Sequence, residues 1–309
     1  MGVSEPVGEE IRAHMSRMDE RTREAVRPFL SDPPADKWIR DVLFAYWHYF
    51  LLVLKHGTPA AEAEDVLLSH LAPLVPETSR EDLDAVEEAL EKSFRARGYS
   101  FLGGYTLPYR GPYIWRKTEK RVFQVELPSR RDPQPTSVFF MYDFVTLGWK
   151  HFETFGAQSA GGWAKWREPP WEDGLYCVSE RYDLERLEEN SVFQVSLLKH
   201  EAQHLADKAE FPLLDGTSLE YSAKLVELIY NTSVDGRLKD IIRIARDAPE
   251  DPHVMSSYRI LGELSESIFG ERRVRDEGRW RDLDYVEVRE AARGLLTAHT
   301  LQLRTGNDS

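Results

Sequence analysis

Two changes in residue pattern divide this chain of 309 residues, and they constrain its fold more than any other feature. Residues 9–97, and the residues from Asn190 onward, carry apolar side chains at helical spacing with few Gly or Pro residues inside the segments. Residues 99–182 are rich in Tyr, Phe, Val and Trp and are punctuated by Gly and Pro, which favours strands. Helices, then strands, then helices predict an α+β fold whose strands form an irregular antiparallel sheet.

The change at Gly98 also predicts two domains. A helical accessory domain would cover 1–98, and a second domain would cover 99–309, with a β-rich part at 99–190 and a helical part at 191–309. The predicted helices are Glu9–Phe29, Asp36–Lys55, Pro59–Leu71, Ser79–Arg97, Ser191–Glu210, Ser218–Thr232, Asp235–Asp247, Val254–Phe269 and Tyr285–Leu303. The predicted strands are Tyr113–Trp115, Val122–Leu127, Val138–Phe144 and Leu175–Val178.

Composition narrows the class of protein. The net charge of -13 repels phosphate backbones, so we expect no nucleic acid partner. The single cysteine, Cys177, cannot form an intramolecular disulfide, and we expect a reducing compartment, the cytoplasm. Met1–Ile11 lacks the apolar core of a secretory signal. Val42–Leu54 is shorter than the ~20 residues that cross a bilayer, so it predicts no membrane span. We expect a buried helix, and the alternative is a helix that docks on a partner or a membrane surface.

The strongest chemical signal is the sequence His-Glu-Ala-Gln-His at residues 200–204. On a helix, positions i and i+4 lie one turn apart on one face, so His200 and His204 can share one tetrahedral ion. Glu201 then points beside the ion, where it can hold a water molecule. The spacing therefore predicts a metal site, and zinc is the ion that suits this ligand set.

The surrounding sequence supports a helix with an inward face. Ser191 and Gln194 fit a capping box, and Pro212 enforces the helix end. Phe193 and Leu197 fall on the same stripe as the two histidines, which predicts that the imidazoles face the protein interior. The alternative is a pair of histidines that are only hydrogen-bonded locally.

A catalytic zinc ion usually takes three protein ligands. Glu220 is the best candidate for the third, because the turn before it could bring the next helix back against the motif. Glu220 could instead cap its own helix, in a capping box with Thr217. Glu227 is the reserve ligand. Asp207 shares the histidine face and would be either an acceptor for an imidazole N–H or a solvated charge.

The His-Glu-x-x-His motif followed by Glu220 on the next helix resembles the gluzincin metallopeptidases, the thermolysin-like group. The resemblance covers residues 200–220, and it implies a gluzincin-like catalytic core that hydrolyses peptide bonds in a peptide or protein substrate with Zn²⁺. Glu201 would be the general base. His253 or Tyr258 would donate to the oxyanion, and the substrate would pair with a strand edge. Ala157–Trp163 could supply that edge, and the alternative for this stretch is a plain loop with a packed Trp.

Two other functions remain open at this level. The chain could be a zinc-binding regulatory or interaction protein whose hydrolytic activity is absent or latent. It could also be a helical interaction protein with an accidental motif. The sequence does not predict an oligomeric state.

Overall fold

A computed structural model describes residues 36–106, 109–144, 162–165, 172, 174–179 and 182–306. The chain divides into two compact units, one formed by 1–119 with 141–158 and the other by 120–140 with 159–309. The division passes through two long strands, whereas the sequence suggested a boundary at residue 98. The two domains expected from the sequence remain a prediction.

Helices and their aromatic side chains build the first unit. Asp36 caps the first described helix, where its side chain accepts from the backbone N–H groups of Trp38 and Ile39. The helices are α1 Lys37–Phe50, which continues as a π-helix Leu51–Lys55, then α2 Ala60–Leu71 and α3 Leu83–Arg95. Short 3₁₀ turns cover Ala72–Leu74 and Glu77–Ser79. The apolar faces of these three described helices meet in one buried core. The predicted buried helix Val42–Leu54 is confirmed as helical, and most of its side chains from Val42 to Leu51 are buried.

Strands β1 Ser100–Leu102 and β4 Tyr113–Val125 pair antiparallel, with Phe101 opposite Ile114. Both of these side chains belong to the helical core of the first unit, which is why the compact unit continues past residue 98. Strands β2 Tyr105–Thr106 and β3 Tyr109–Arg110 form a separate antiparallel pair.

The sequence predicted two separate strands, Tyr113–Trp115 and Val122–Leu127. The separation is wrong, because the single strand β4 runs through both of them and ends at Val125. Its charged middle is mostly exposed, while Tyr113, Ile114 and Trp115 are buried. Charged side chains on the solvent face leave the backbone hydrogen bonds of a strand intact.

The remaining strands are β5 Gln134–Phe144, β6 Gly162–Lys165 and β7 Gly174–Val178. Among the strands that the structure describes, the larger sheet has the order β1-β4-β5-β7-β6, so β6 lies at one end. β6 pairs antiparallel with β7, with Lys165 opposite Gly174. A Cβ atom at Gly174 would lie 2.6 Å from the carbonyl oxygen of Ser137, so only glycine fits this close strand approach.

The second unit is mainly helical after residue 190. Its helices are a π-helix Val192–Lys199, then α4 His200–Glu210, α5 Gly216–Tyr230, α6 Arg237–Ile244, α7 Pro252–Phe269, α8 Glu277–Arg281 and α9 Tyr285–Gly306. Helix α5 lies at the centre of this unit, packed against α4, α7 and α9. Every residue from Leu219 to Ile229 is buried. Charged side chains on so enclosed a helix must find partners inside the protein.

The α+β fold is confirmed, with helices at both ends of the described part of the chain and strands between them. The predicted helix Glu9–Phe29 lies outside the described residues, and α8 was not predicted. The predicted helix Ser79–Arg97 begins too early, because Asp82 accepts from the N–H of Ala85 at 2.8 Å and α3 begins after it. Gly98 follows the end of α3 with φ +78°, a left-handed conformation that glycine adopts readily after a helix.

None of the helices in the described part of the chain combines the length and the apolar character that crossing a bilayer requires.

Candidate metal centre

The motif lies at the start of α4, which continues the preceding π-helix without a break. The prediction that Ser191 caps this segment was wrong, because Asn190 Oδ1 accepts from the N–H of Phe193 at 3.0 Å. Phe193 and Leu197 are fully buried, as the inward stripe predicted. The helix ends at Glu210, two residues before Pro212.

The two histidines of the motif face the interior. His200 is 7% exposed and His204 is 5% exposed. Their ring centroids lie 4.6 Å apart, and the rings are nearly perpendicular. Two imidazoles one helical turn apart are thus held against each other inside the protein.

Glu220 completes the group from the second turn of α5. Its Oε1 lies 3.2 Å from His204 Nε2, and its Oε2 lies 3.8 Å from His200 Nε2. The alternative, a capping box of Thr217 and Glu220, is wrong. Helix α5 begins at Gly216, and the cap is Asp215, whose side chain accepts from Ser218 N at 3.0 Å.

These three residues fit a zinc ion. Ligand atoms of His200, His204 and Glu220 all lie within 4.8 Å of one another. Neighbouring ligands of a tetrahedral zinc with bonds of about 2.0–2.1 Å lie about 3.3 Å apart, close to the two distances from Glu220. Two imidazole nitrogens and one carboxylate oxygen are also a donor set that zinc accepts. Three protein ligands leave one tetrahedral position for a water molecule or a substrate.

Glu227 supports His200 from the other side of its ring. Its Oε1 lies 2.6 Å from His200 Nδ1, and its side chain is fully buried. Arg237 of α6 holds the same carboxylate through Nη2 at 2.6 Å and Nε at 2.8 Å. If His200 donates its Nδ1–H to Glu227, its Nε2 lone pair is left facing Glu220. Glu227, expected as a reserve ligand, therefore lies in a position to orient a ligand.

Lys224 and His253 both lie close to Glu220, and Lys224 also contacts the start of α7. The Lys224 ammonium lies 3.9 Å from Glu220 Oε2 and donates to the carbonyl of His253 and to the hydroxyls of Ser256 and Ser257. His253 Nδ1 lies 2.8 Å from Glu220 Oε2, although the His253 side chain is 63% exposed. This imidazole thus reaches from solvent to the buried carboxylate.

The charges around Glu220 determine its ionisation. Burial by itself raises the pKa of Glu220, but hydrogen bonds to His204 and His253 and the charges of the neighbouring imidazoles hold that pKa well below its ordinary range. Burial lowers the pKa of His204, but the hydrogen bond and charge of Glu220, aided by Glu201 and Asp207, outweigh burial and raise it to about 9. Glu220 is therefore an anion at neutral pH, as a metal ligand must be.

The remaining residues predicted for the site differ in their burial and in their contacts. Glu201 is half-buried on α4, one residue after His200. Asp207 is 4% exposed and accepts from Gln203 Nε2 at 2.7 Å, so the prediction of a solvated charge was wrong. Burial raises the pKa of Asp207 to about 6. Tyr258 lies under the guanidinium of Arg273, 3.9 Å from ring centroid to Cζ. Of the two oxyanion candidates, only His253 has a described contact with the cluster.

A spacing in the sequence could have revealed part of this arrangement. Glu220, Lys224 and Glu227 stand at i, i+4 and i+7 on α5, which is one helix face. Three charges on one face of an otherwise apolar helix indicate a buried polar site. His253 and Arg237 leave no such signal, because only the packing of α6 and α7 brings them to the cluster.

Two further predictions concern the strands. Gly162 and Trp163, from the proposed substrate-binding edge Ala157–Trp163, lie in β6 at the end of the described sheet order, and 157–161 lie outside the described residues. Both β6 and β7 lie against the motif helix α4. Cys177 on β7 is buried, and burial raises the pKa of its thiol.

Comparison of the chain with protein-family models, with curated proteins and with solved structures found no match.

Proposed function

We propose that this protein is a zinc-dependent hydrolase of peptide bonds, with His200, His204 and Glu220 as the metal ligands and Glu201 as the general base. One observation carries the proposal: two imidazoles and a carboxylate, all buried, bring their ligand atoms within 4.8 Å of one another. The order of these residues agrees with the gluzincin resemblance, which is part of the proposal.

Each residue has a distinct task. A zinc ion bound here would lower the pKa of a coordinated water molecule and polarise a carbonyl group. Glu201 accepts the proton of the attacking water and passes it to the leaving amine. Glu227 and Arg237 hold His200 in one tautomer and orientation. His253, exposed to solvent and anchored on Glu220, donates to negative charge that develops on the substrate oxygen.

The edge strand supports a peptide as the substrate class. β6 lies at the end of the sheet order among the described strands, and it lies beside the motif helix. An extended peptide can add to such an edge through main-chain hydrogen bonds. This would hold the peptide beside α4, the helix that carries Glu201, whatever its side chains are.

Two measurements test the proposal, first the zinc content of the protein and then its cleavage of peptides. Protein purified from zinc-replete cells should hold about one zinc per chain, and His200→Ala or Glu220→Ala should lose it. Glu201→Gln should keep the zinc and lower the cleavage of a peptide library by a factor of about 10² to 10⁴. Tightly bound zinc well below one equivalent would refute the site, and cleavage that survives Glu201→Gln would refute the role of Glu201. Bound zinc without cleavage of any peptide would favour a zinc-binding protein without turnover.

We also propose that the protein works in the cytoplasm. The single cysteine of the chain is buried, so it cannot support disulfide bonding in an oxidising compartment. Fractionation of cells that express the tagged full chain tests this location.

A further inference from the structure

A cavity lies beside the C-terminal half of the motif helix. Its volume is about 600 Å³, and its wall comes from the start of β5 and from the C-terminal half of α4 with the turn after it. The lining residues are Gln134, Pro135, Ser137, Leu205, Lys208, Ala209 and Pro212. Apart from Lys208, none of these side chains carries a charge.

Lys208 is a cation without a described anionic partner. Its side chain is half-buried, and its ammonium donates to the carbonyl oxygen of Leu214 at 2.9 Å. No carboxylate within the described ranges lies within ion-pairing distance of it. In a chain with a net charge of -13, an ammonium at a cavity wall that pairs only with a carbonyl is well suited to an anionic ligand.

The cavity lies close to the proposed base. Leu205 follows Glu201 by four residues and Lys208 follows it by seven, so all three occupy one side of α4. Seven residues of helix span about 10.5 Å along the axis. An extended peptide advances about 3.3 Å per residue, so it covers that distance in about three residues.

We propose that this cavity is a specificity subsite for an acidic side chain on the peptide substrate, about three residues from the bond that is cleaved. Lys208 binds the carboxylate, and the neutral wall of Gln134, Ser137 and Leu205 accommodates the side chain that carries it. The inference rests on the proposed peptide hydrolysis. It adds the substrate class, peptides with Asp or Glu near the cleavage site.

The first experiment measures cleavage by the zinc-loaded full chain. A peptide series carries one Asp, Gln or Lys at each position in turn around the cleaved bond. We expect kcat/KM to be about tenfold higher for Asp than for Gln at one position, about three residues away. Lys208→Gln should abolish this preference, and Lys208→Glu should shift it to the Lys peptide. Lys239→Gln, a half-exposed lysine on α6, should keep the wild-type preference.

The second experiment measures binding without turnover. The Glu201→Gln protein should bind the Asp peptide about tenfold more tightly than the Gln peptide, and the further change Lys208→Gln should remove the difference. Cleavage without an acidic preference, a preference that survives Lys208→Gln, or no difference in binding would overturn the subsite. Selective binding without any cleavage would instead refute the hydrolase and keep the acidic subsite.

Discussion

Replacing Glu227 with Gln tests how much the candidate metal centre depends on a residue outside its three proposed ligands. Glu227 is fully buried, and its carboxylate contacts His200 Nδ1 at 2.6 Å and Arg237 Nη2 at 2.6 Å. The substitution keeps the shape of the side chain and removes its charge. Any large effect therefore comes from the lost charge and from the changed hydrogen bonds.

The size of the effect follows from burial. Removing one partner of a buried ion pair costs about 3–5 kcal/mol. The Arg237 side chain is 19% exposed, and the amide oxygen of Gln can still accept one hydrogen bond from it. We therefore expect the free energy of unfolding of the metal-free protein to fall by about 3 kcal/mol, the lower end of that range. An amide also fixes the His200 tautomer less firmly than a carboxylate, so zinc affinity should fall about 10- to 100-fold.

Urea unfolding of the metal-free protein and zinc competition with a chromophoric chelator measure the two effects. Glu290→Gln, at a 68% exposed glutamate near Arg293, is the matched control and should change neither quantity. If Glu227→Gln unfolds like the wild type and binds zinc equally well, Glu227 does not orient His200.

The pH dependence of the free energy of unfolding gives a second test of the Glu227→Gln variant. Burial by itself raises the pKa of Glu227, but the charges of Arg237 and His200 outweigh burial and lower it below its ordinary value of 4.5. A carboxyl whose folded pKa is lowered stabilises the protein fully above the unfolded pKa and loses that contribution as the pH falls through the folded pKa. The stability difference between wild type and Glu227→Gln should therefore be largest near neutral pH and should shrink in acid.

Three further substitutions examine other parts of the chain. Asp215→Ala removes the N-cap of α5, so urea unfolding should show a free energy of unfolding lower by about 1 kcal/mol. Zinc titration should show weaker binding, because Glu220 lies on the same helix. An unchanged free energy of unfolding would refute the role of Asp215 as the cap. Leu67→Ala opens a cavity in the core of the first unit and should cost about 2–5 kcal/mol in the same unfolding assay without reducing the zinc content, since the site lies in the second unit. Burial lowers the pKa of His299 to about 4, so the unfolded chain takes up the proton first and stability is lost as the pH falls from about 6.5 towards 4. Thermal unfolding of His299→Gln should therefore show less acid destabilisation between pH 6.5 and 4 than the wild type, and an equal loss would contradict this reasoning.

The helix boundaries show how far local sequence rules reach. Ser191 and Thr217 were both plausible N-caps, and in each case a nearby Asn or Asp caps the helix instead. Ser, Thr, Asp and Asn differ little as caps, by less than about 1 kcal/mol. Packing of the whole helix therefore decides between neighbours, and a single sequence contains no local signal strong enough to choose.

The sequence by itself determined the motif helix and the inward direction of its histidines, because both follow from helical spacing within one short segment. It also indicated Glu220, through the turn that reverses the chain. Only the tertiary structure shows that Glu227 contacts Nδ1 of His200. It also brings Arg237, Lys224 and His253 to the cluster, because those contacts depend on how α5, α6 and α7 pack. Such packing sums many weak contacts between residues distant in sequence, and no local pattern encodes it.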